Sequence, residues 1–260
     1  MAGEERSATI VAMSIPMRQV VVALAIALAA AGCGVDLEAE EVHSARSFPL
    51  TGPLTGAALQ IRSSLGGVRV LPGTGGRVEV ERWVRGKAAD DGNATWSLRD
   101  GTLRLGADCS MVFGDCGARY HVKVPPGVRL SIDASDGVIL NGLTQDVDVS
   151  SGDRIQVTAT TGRLRLTSEG PITGDGLKSP NVRCRTSDGA IDLTFAGPPT
   201  ALDLQSRDGR VTATVPRAAY AISARSQEGT ERSELKHDAK SPNTITARST
   251  SGDVRILLAK

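Results

Sequence analysis

Aromatic side chains are nearly missing from this sequence: three Phe, two Trp and two Tyr among 260 residues. Rings fill core volume efficiently, so a thick, ring-filled core is excluded. Charge of one sign is missing too, with 30 Lys and Arg against 29 Asp and Glu. A nucleic-acid binder needs a basic excess and stacking rings, and neither is here. No G-x-S-x-G, H-E-x-x-H, Walker-type loop or dinucleotide fingerprint occurs. Histidine is limited to His43, His121 and His237, far apart and without a partner pattern; they read as solvated or structural rather than as one site. With no second Cys pair near His121, metal binding is not expected, and no cofactor is implied.

A membrane-spanning run is also lacking. The only long apolar stretch, Val20 to Ala31, holds 12 residues, whereas a span needs about 20. It follows Arg18 and leads into Ala30-Ala31-Gly32-Cys33. This is a signal-peptide layout, and small residues before a Cys match a bacterial lipobox, although Ala30 stands where Leu is commoner. Residues 1–32 are therefore expected to be a signal peptide and Cys33 the lipidation site, anchoring the chain to the extracytoplasmic face of the cell membrane. Met13 and Met17 are alternative starts. Residues 33–47 carry four acids and no strand pattern, and read as the lipidated Cys and a solvated tether.

What is abundant is glycine, 29 residues. From Val128 onward one unit recurs: a short strand, a polar residue with Asp and Gly, then alternating apolar and polar residues. Its copies are Ser135-Asp136-Gly137, Ser151-Gly152-Asp153, Thr160-Thr161-Gly162, Ser187-Asp188-Gly189, Arg207-Asp208-Gly209, the degenerate Gln227-Glu228-Gly229, and Ser251-Gly252-Asp253. Ser64-Leu65-Gly66-Gly67 is a weaker relative. Strands such as ALDLQS and NVRCRT run into these turns. Period-2 alternation marks strands with one buried face, and glycine suits tight turns through its access to positive φ. No helical periodicity is present beyond residue 32.

Two architectures fit. One is an all-β solenoid, a β-helix-like stack of short strands with Gly turns; the other is an antiparallel sandwich or meander with Asp-Gly hairpins. The recurrence of similar units favours the solenoid, whose narrow section also accounts for the scarcity of rings. The expected division is a β cap over 48–125, holding Trp83 and Trp96, and a β-repeat solenoid over 126–260. Gly73-Thr74-Gly75-Gly76 reads as a hairpin turn, and the polar run after Gly229 as a loop insertion.

Cys109 and Cys116, seven apart between strand-like runs, are within reach of a disulfide, which persists outside the cytosol. Cys184 alternates in phase with Val182 and reads as a buried core thiol.

The series SDGVIL, SGDRIQV, SDGAIDL, RDGRVTATVP and SGDVRI, with CSMVFGDC and YHVKVPPGV ahead of it, resembles the DUF4097 family of bacterial envelope proteins over about residues 60–260. The resemblance implies a solenoid-like β fold and an adhesin label that is itself conjectural. It carries no catalytic residues.

Three sharper chemistries remain to be weighed. A calcium ladder of Asp136, Asp153, Asp188, Asp208 and Asp253 is disfavoured, because the spacing is long and irregular and calcium needs six or more oxygens. A carbohydrate-active enzyme, a lyase or hydrolase on a β-helix, needs paired carboxylates and usually aromatics for the sugar; each acid here sits beside a turn glycine. A stripe of Arg163, Arg165, Arg183, Arg185 and Arg210 on polar strand positions can bind an anionic ligand. The leading expectation is a lipid-anchored, adhesin-like binding or structural module without catalysis. Its expected partners are the membrane and cell-wall polymer or another envelope protein; nucleic acid is not among them.

Overall fold

In a computed structural model of the chain, residues 41–50, 57–110 and 115–260 are described. The expected signal peptide, Cys33 and the first part of the tether lie outside them. Among the described residues there are 21 strands, one three-residue 3-10 turn at Lys87–Ala89, and no helix long and apolar enough to cross a membrane.

The strands form two sheets packed face to face. At the start of the chain come β1 (Val42–Pro49), β2 (Ala58–Ser63), β3 (Gly67–Pro72), β4 (Arg77–Gly86), β5 (Ala94–Arg99), β6 (Thr102–Ala107) and β7 (Cys116–Val124). A regular series follows, each coil giving one strand to each sheet. Its members are β8 (Arg129–Ala134) and β9 (Val138–Asn141), β10 (Val147–Ser151) and β11 (Ile155–Thr158), β12 (Leu164–Ser168) and β13 (Ile172–Leu177). The series continues with β14 (Asn181–Thr186) and β15 (Ile191–Phe195), β16 (Ala201–Ser206) and β17 (Val211–Val215), β18 (Ala221–Ser226) and β19 (Glu231–Ser233), and β20 (Thr244–Ser249) and β21 (Val254–Leu258). Sheet A runs β1-β4-β7-β3-β9-β11-β13-β15-β17-β21-β19, and sheet B runs β18-β20-β16-β14-β12-β10-β8-β2-β6-β5. Apart from β1–β4, β4–β7 and β5–β6, which are antiparallel, every strand pairing among the described residues is parallel. The chain is a solenoid, not a hairpin meander.

Alternation dictates the core. In β16 and β17, Leu202, Leu204, Val211, Ala213 and Val215 are at most 1% exposed, while Asp203 and Gln205 face out. Sheets packed about 10 Å apart leave room for aliphatics and little for rings. Of the aromatics among the described residues, only Phe48, Tyr120, Phe195 and Tyr220 are buried.

Both ends of the stack are interleaved. The first coil, β2 and β3, is not outermost: β6 lies outside β2, and β7 outside β3. The last coil in sequence, β20 and β21, inserts between β16/β17 and β18/β19. Three sequence expectations change accordingly. Residues 58–72 belong to the same parallel stack as β8 and β9, so the stack does not begin at 126. The Gly73–Gly76 turn is no hairpin, because β7 lies between β3 and β4. The polar run after Gly229 includes a short strand, β19, whose residues are all exposed because it is the end rung. The tether also ends earlier than 47, since residues 42–47 pair with β4. Phe48, 7% exposed, anchors that strand to the core.

The turn glycines differ from expectation in their reason. Gly152, Gly162, Gly189, Gly209, Gly229 and Gly252 are absent from the positive-φ set. They are needed because consecutive turns stack backbone on backbone: a Cβ at Gly209 would lie 2.0 Å from the Gly189 carbonyl oxygen, and one at Gly162 1.9 Å from that of Gln145. At Gly189, Gly209, Gly229 and Gly252 a hydroxyl three residues earlier completes the turn. Ser206 Oγ accepts from Gly209 N–H at 2.8 Å and donates to Gly189 O at 2.8 Å. Ser249 does the same between Gly252 and Gly209, and Ser226 between Gly229 and Gly252. The resulting spine follows the spatial order of the coils, including the inserted last one.

A candidate ligand face on sheet B

Parallel register lines up every outward position of sheet B. One row reads Ser131, Asp148, Arg165, Arg183, Asp203, Thr246 along β8, β10, β12, β14, β16 and β20. The next row reads Asp133, Ser150, Thr167, Arg185, Gln205, Arg248, and reaches Arg62 and Arg104 on β2 and β6 at one end and Arg225 on β18 at the other. Arg163, one residue ahead of β12, sits over Asn181 in a third row.

Of the five arginines singled out from the sequence, four come together here: Arg163, Arg165, Arg183 and Arg185. Arg210 does not. It follows the Gly209 turn and leads into β17, on sheet A, where its carbonyl accepts from Ile191 N–H. Arg248, which sequence reasoning missed, takes its place. Three of the cluster have carboxylate partners: Arg163–Asp146 at 3.1 Å, Arg165–Asp148 at 3.4 Å and Arg183–Asp203 at 3.0 Å. These arginine side chains are 48–61% exposed, and such pairs hold about 0–1 kcal/mol, so an incoming anion can compete for the guanidinium. Arg185 and Arg248 flank Gln205 and, among the described residues, meet no carboxylate within 4.0 Å.

Two shallow grooves score this face. One, of about 600 Å³, runs past Arg163, Arg165, Arg183 and Arg248. The other, of about 690 Å³, is lined by Ser150, Thr167, Glu169, Arg185, Gln205 and Arg207. The opposite face differs in charge. On sheet A from β9 to β17 the outward residues are Ile139, Asn141, Gln156, Thr158, Thr173, Asp175, Asp192, Thr194, Thr212 and Thr214, with no base among them.

The turn acids are engaged locally. Asp136 accepts from Gly66 N–H at 2.5 Å. Asp253 accepts from Thr230 N–H at 3.0 Å and its hydroxyl at 2.8 Å, and these bonds with Arg255 hold its carboxyl down at about 2. Asp188 and Asp208 share Arg207. Among the described residues no group of three or more His, Cys, Asp or Glu is placed to hold a metal.

Near the N-terminal end of sheet A the histidines depart from the sequence expectation. His43 stacks on Trp83 at 4.7 Å and His121 meets it edge-on at 4.5 Å, with the Arg119 guanidinium over the same ring at 4.9 Å. Antiparallel pairing of β1, β4 and β7 brings them together, which sequence spacing could not show. Burial, then the neighbouring Arg69, lowers the His121 pKa. His237 stays apart, its Nδ1 accepting from Ile222 N–H at 3.0 Å.

Cys109 and Cys116 form a disulfide, with Cα atoms 5.8 Å apart, at the corner where β6 of sheet B passes to β7 of sheet A. Cys184 is a free, fully buried thiol, its pKa pushed up by that burial.

A family model described as Toastrack DUF4097 matches residues 129–257, from β8 to the end of β21. Among solved structures, a "putative cell adhesion protein" from Clostridium sporogenes is 10% identical, covering 85% of this chain and 100% of its own, at a TM-score of 0.39. A "putative adhesin" from Parabacteroides distasonis is 8% identical, covering 82% and 97%, at 0.41. Another from Parabacteroides merdae is 12% identical, covering 84% and 96%, at 0.38. No curated protein matches.

Proposed function

Since the chain belongs, over residues 129–257, to the Toastrack DUF4097 family, we propose that it is a non-catalytic envelope module, lipid-anchored through Cys33, that binds anionic cell-wall polymer on the outward face of sheet B. The observation that carries the reading is the one-sided charge. Arg185 and Arg248 stand unpaired over hydroxyl-lined grooves on sheet B, while the middle of sheet A has no base. A regular ladder suits a repeating polymer better than a compact ligand, because outward positions recur at each strand step of about 4.8 Å and Arg165 and Arg183 occupy two successive ones. Exposed arginines exchange partners at little cost, and their attraction is screened by salt. Asp146, Asp148 and Asp203 on this face are turned to Arg163, Arg165 and Arg183, and no specific observation favours a glycosidase reading.

The test is retention of the full chain on immobilised polygalacturonate, a carboxylated glycan, at low and high salt. Binding at low salt is expected, with at least a tenfold loss in R185E/R248E and none in T173E/T214E on sheet A. Equal binding by both double variants, or none by the wild type at low salt, would defeat the reading. Anchoring is tested separately, by metabolic labelling with palmitate. Label is expected on the wild type and absent from Cys33→Ala.

A further inference from the structure

Each sheet of the stack ends in two edges, and the two at the C-terminal end are blunted. At the C-terminal end β19 has only three residues. On β18, the Ile222 and Ser226 N–H groups donate to His237 Nδ1 and Glu231 Oε1 at 3.0 and 2.8 Å. At the N-terminal end of sheet B, the Ala94 carbonyl of β5 accepts from Arg82 at 2.9 Å. The fourth edge, β1, is the longest at eight residues; its Ser47 carbonyl likewise accepts from an arginine, Arg77, at 3.2 Å, and its outer side has no strand partner among the described residues. It also carries Val42, the one large apolar side chain exposed among the described residues, at 47%. Long, unprotected edges invite another strand.

We propose that β1 pairs with β1 of a second copy of this chain, antiparallel about a two-fold axis at Ala45. Hydrogen-bond phase and side-chain fit together select this register. Leu50 N–H donates to Gly76 O, so even-numbered residues of β1 bond to β4. His43, Ala45 and Ser47 then turn their N–H and C=O groups to the free side, the Ser47 carbonyl exchanging its Arg77 donor for the new strand. A two-fold at Ala45 pairs Ala45 with its own copy and His43 with Ser47, and all of these groups are in phase. A centre at Ser44 keeps the phase but pairs only His43 with Ala45 inside β1 and sets Val42 against Arg46; one at Arg46 sets that guanidinium against its own copy; and one at Ser47 sets Ala45 against Pro49, which has no N–H.

Side chains agree with the same register. On the inward side, Val42 faces Phe48 of the other copy at a non-hydrogen-bonded position, where side chains approach closest. Arg46, already lying over its own Phe48 ring at 5.0 Å, faces Ser44. No like charges stand directly opposite each other, although the two copies of Arg46 are diagonal neighbours. The axis stands perpendicular to sheet A, so both sheet B faces lie on one side of the dimer. If those faces bind polymer as proposed above, the pair is bivalent; the pairing itself does not depend on that reading.

The test uses the full chain in detergent micelles. The wild type is expected to sediment as a dimer at micromolar concentration. Ala45→Cys is expected to cross-link on mild oxidation, because hydrogen-bonded antiparallel pairs have Cα atoms about 5.5 Å apart, within the roughly 4.4–6.8 Å range of disulfides. Ser131→Cys on sheet B is the control. Ala45→Pro costs the monomer no bond to β4, so it is expected to keep its circular dichroism and lose the dimer. A monomeric wild type, as when residues 33–40 or 51–56 of the same chain cover the edge, overturns the proposal. So does cross-linking by Ala45→Cys no stronger than the control, or a dimer that survives Ala45→Pro.

Discussion

Deleting residues 244–260 is expected to unravel the C-terminal part of the stack rather than shorten it by one coil. In a simple solenoid the last coil in sequence is the last in space, and its loss exposes one neighbour. Here β20 and β21 lie between β16/β17 and β18/β19. The deletion removes Ile245, Ala247, Val254 and Ile256, all fully buried. At roughly 1.5–3 kcal/mol for each large aliphatic, that is a substantial part of the about 5–15 kcal/mol that holds a domain folded. It also strips β18 and β19 of every strand partner, and with it the Ser226 bond to Gly252 O. Limited proteolysis with urea unfolding checks this. Rapid cleavage across 216–243 and a lowered midpoint are expected, and a protected 216–243 segment would contradict the insertion.

The second large effect is Gly209→Ala, expected to cost more than about 3 kcal/mol, above the usual roughly 1–3 kcal/mol of overpacking. The added carbon would meet the Gly189 carbonyl at 2.0 Å. That carbonyl already accepts from Ser206, and the Gly209 carbonyl accepts from Ser249, so the turn is fixed on both sides. Gly92→Ala is the matched control. Nothing lies within 4 Å of its Cβ, and its φ of +83° carries only the backbone cost of about 1–2 kcal/mol. Urea midpoints of the two variants should differ clearly. Equal losses would mean that conformation, not close approach, is what the repeat glycines provide.

The strands were legible because burial on one face writes itself into every second residue. Leu202 and Leu204 against Asp203 is enough to orient β16. The Cys109–Cys116 bridge and the buried Cys184 were legible for the same reason, local spacing and phase. Coil order was not, because parallel register depends on which distant segments meet. Even so, the most degenerate copy, Gln227-Glu228-Gly229, marked the exposed end rung, since only a rung with an uncovered side tolerates an all-polar strand such as Glu231–Ser233. Arg210 was misplaced because alternation shows that a residue points outward but not from which sheet. The Ser/Thr closing each sheet B strand, as in Ser206 and Ser249, was visible as a recurrence; its bond to the neighbouring turn was not.

Interleaved ends have a consequence for how such chains change length over time. Each end is finished by strands reaching around a neighbour, while interior coils such as β12/β13 and β14/β15 meet only others like themselves. Duplicating one interior coil leaves both closures untouched, lengthens the body by a single strand spacing of about 4.8 Å, and adds one more outward position to each row of sheet B. Length and the number of ligand-facing rungs can therefore grow together, one gene segment at a time, without redesign of either terminus.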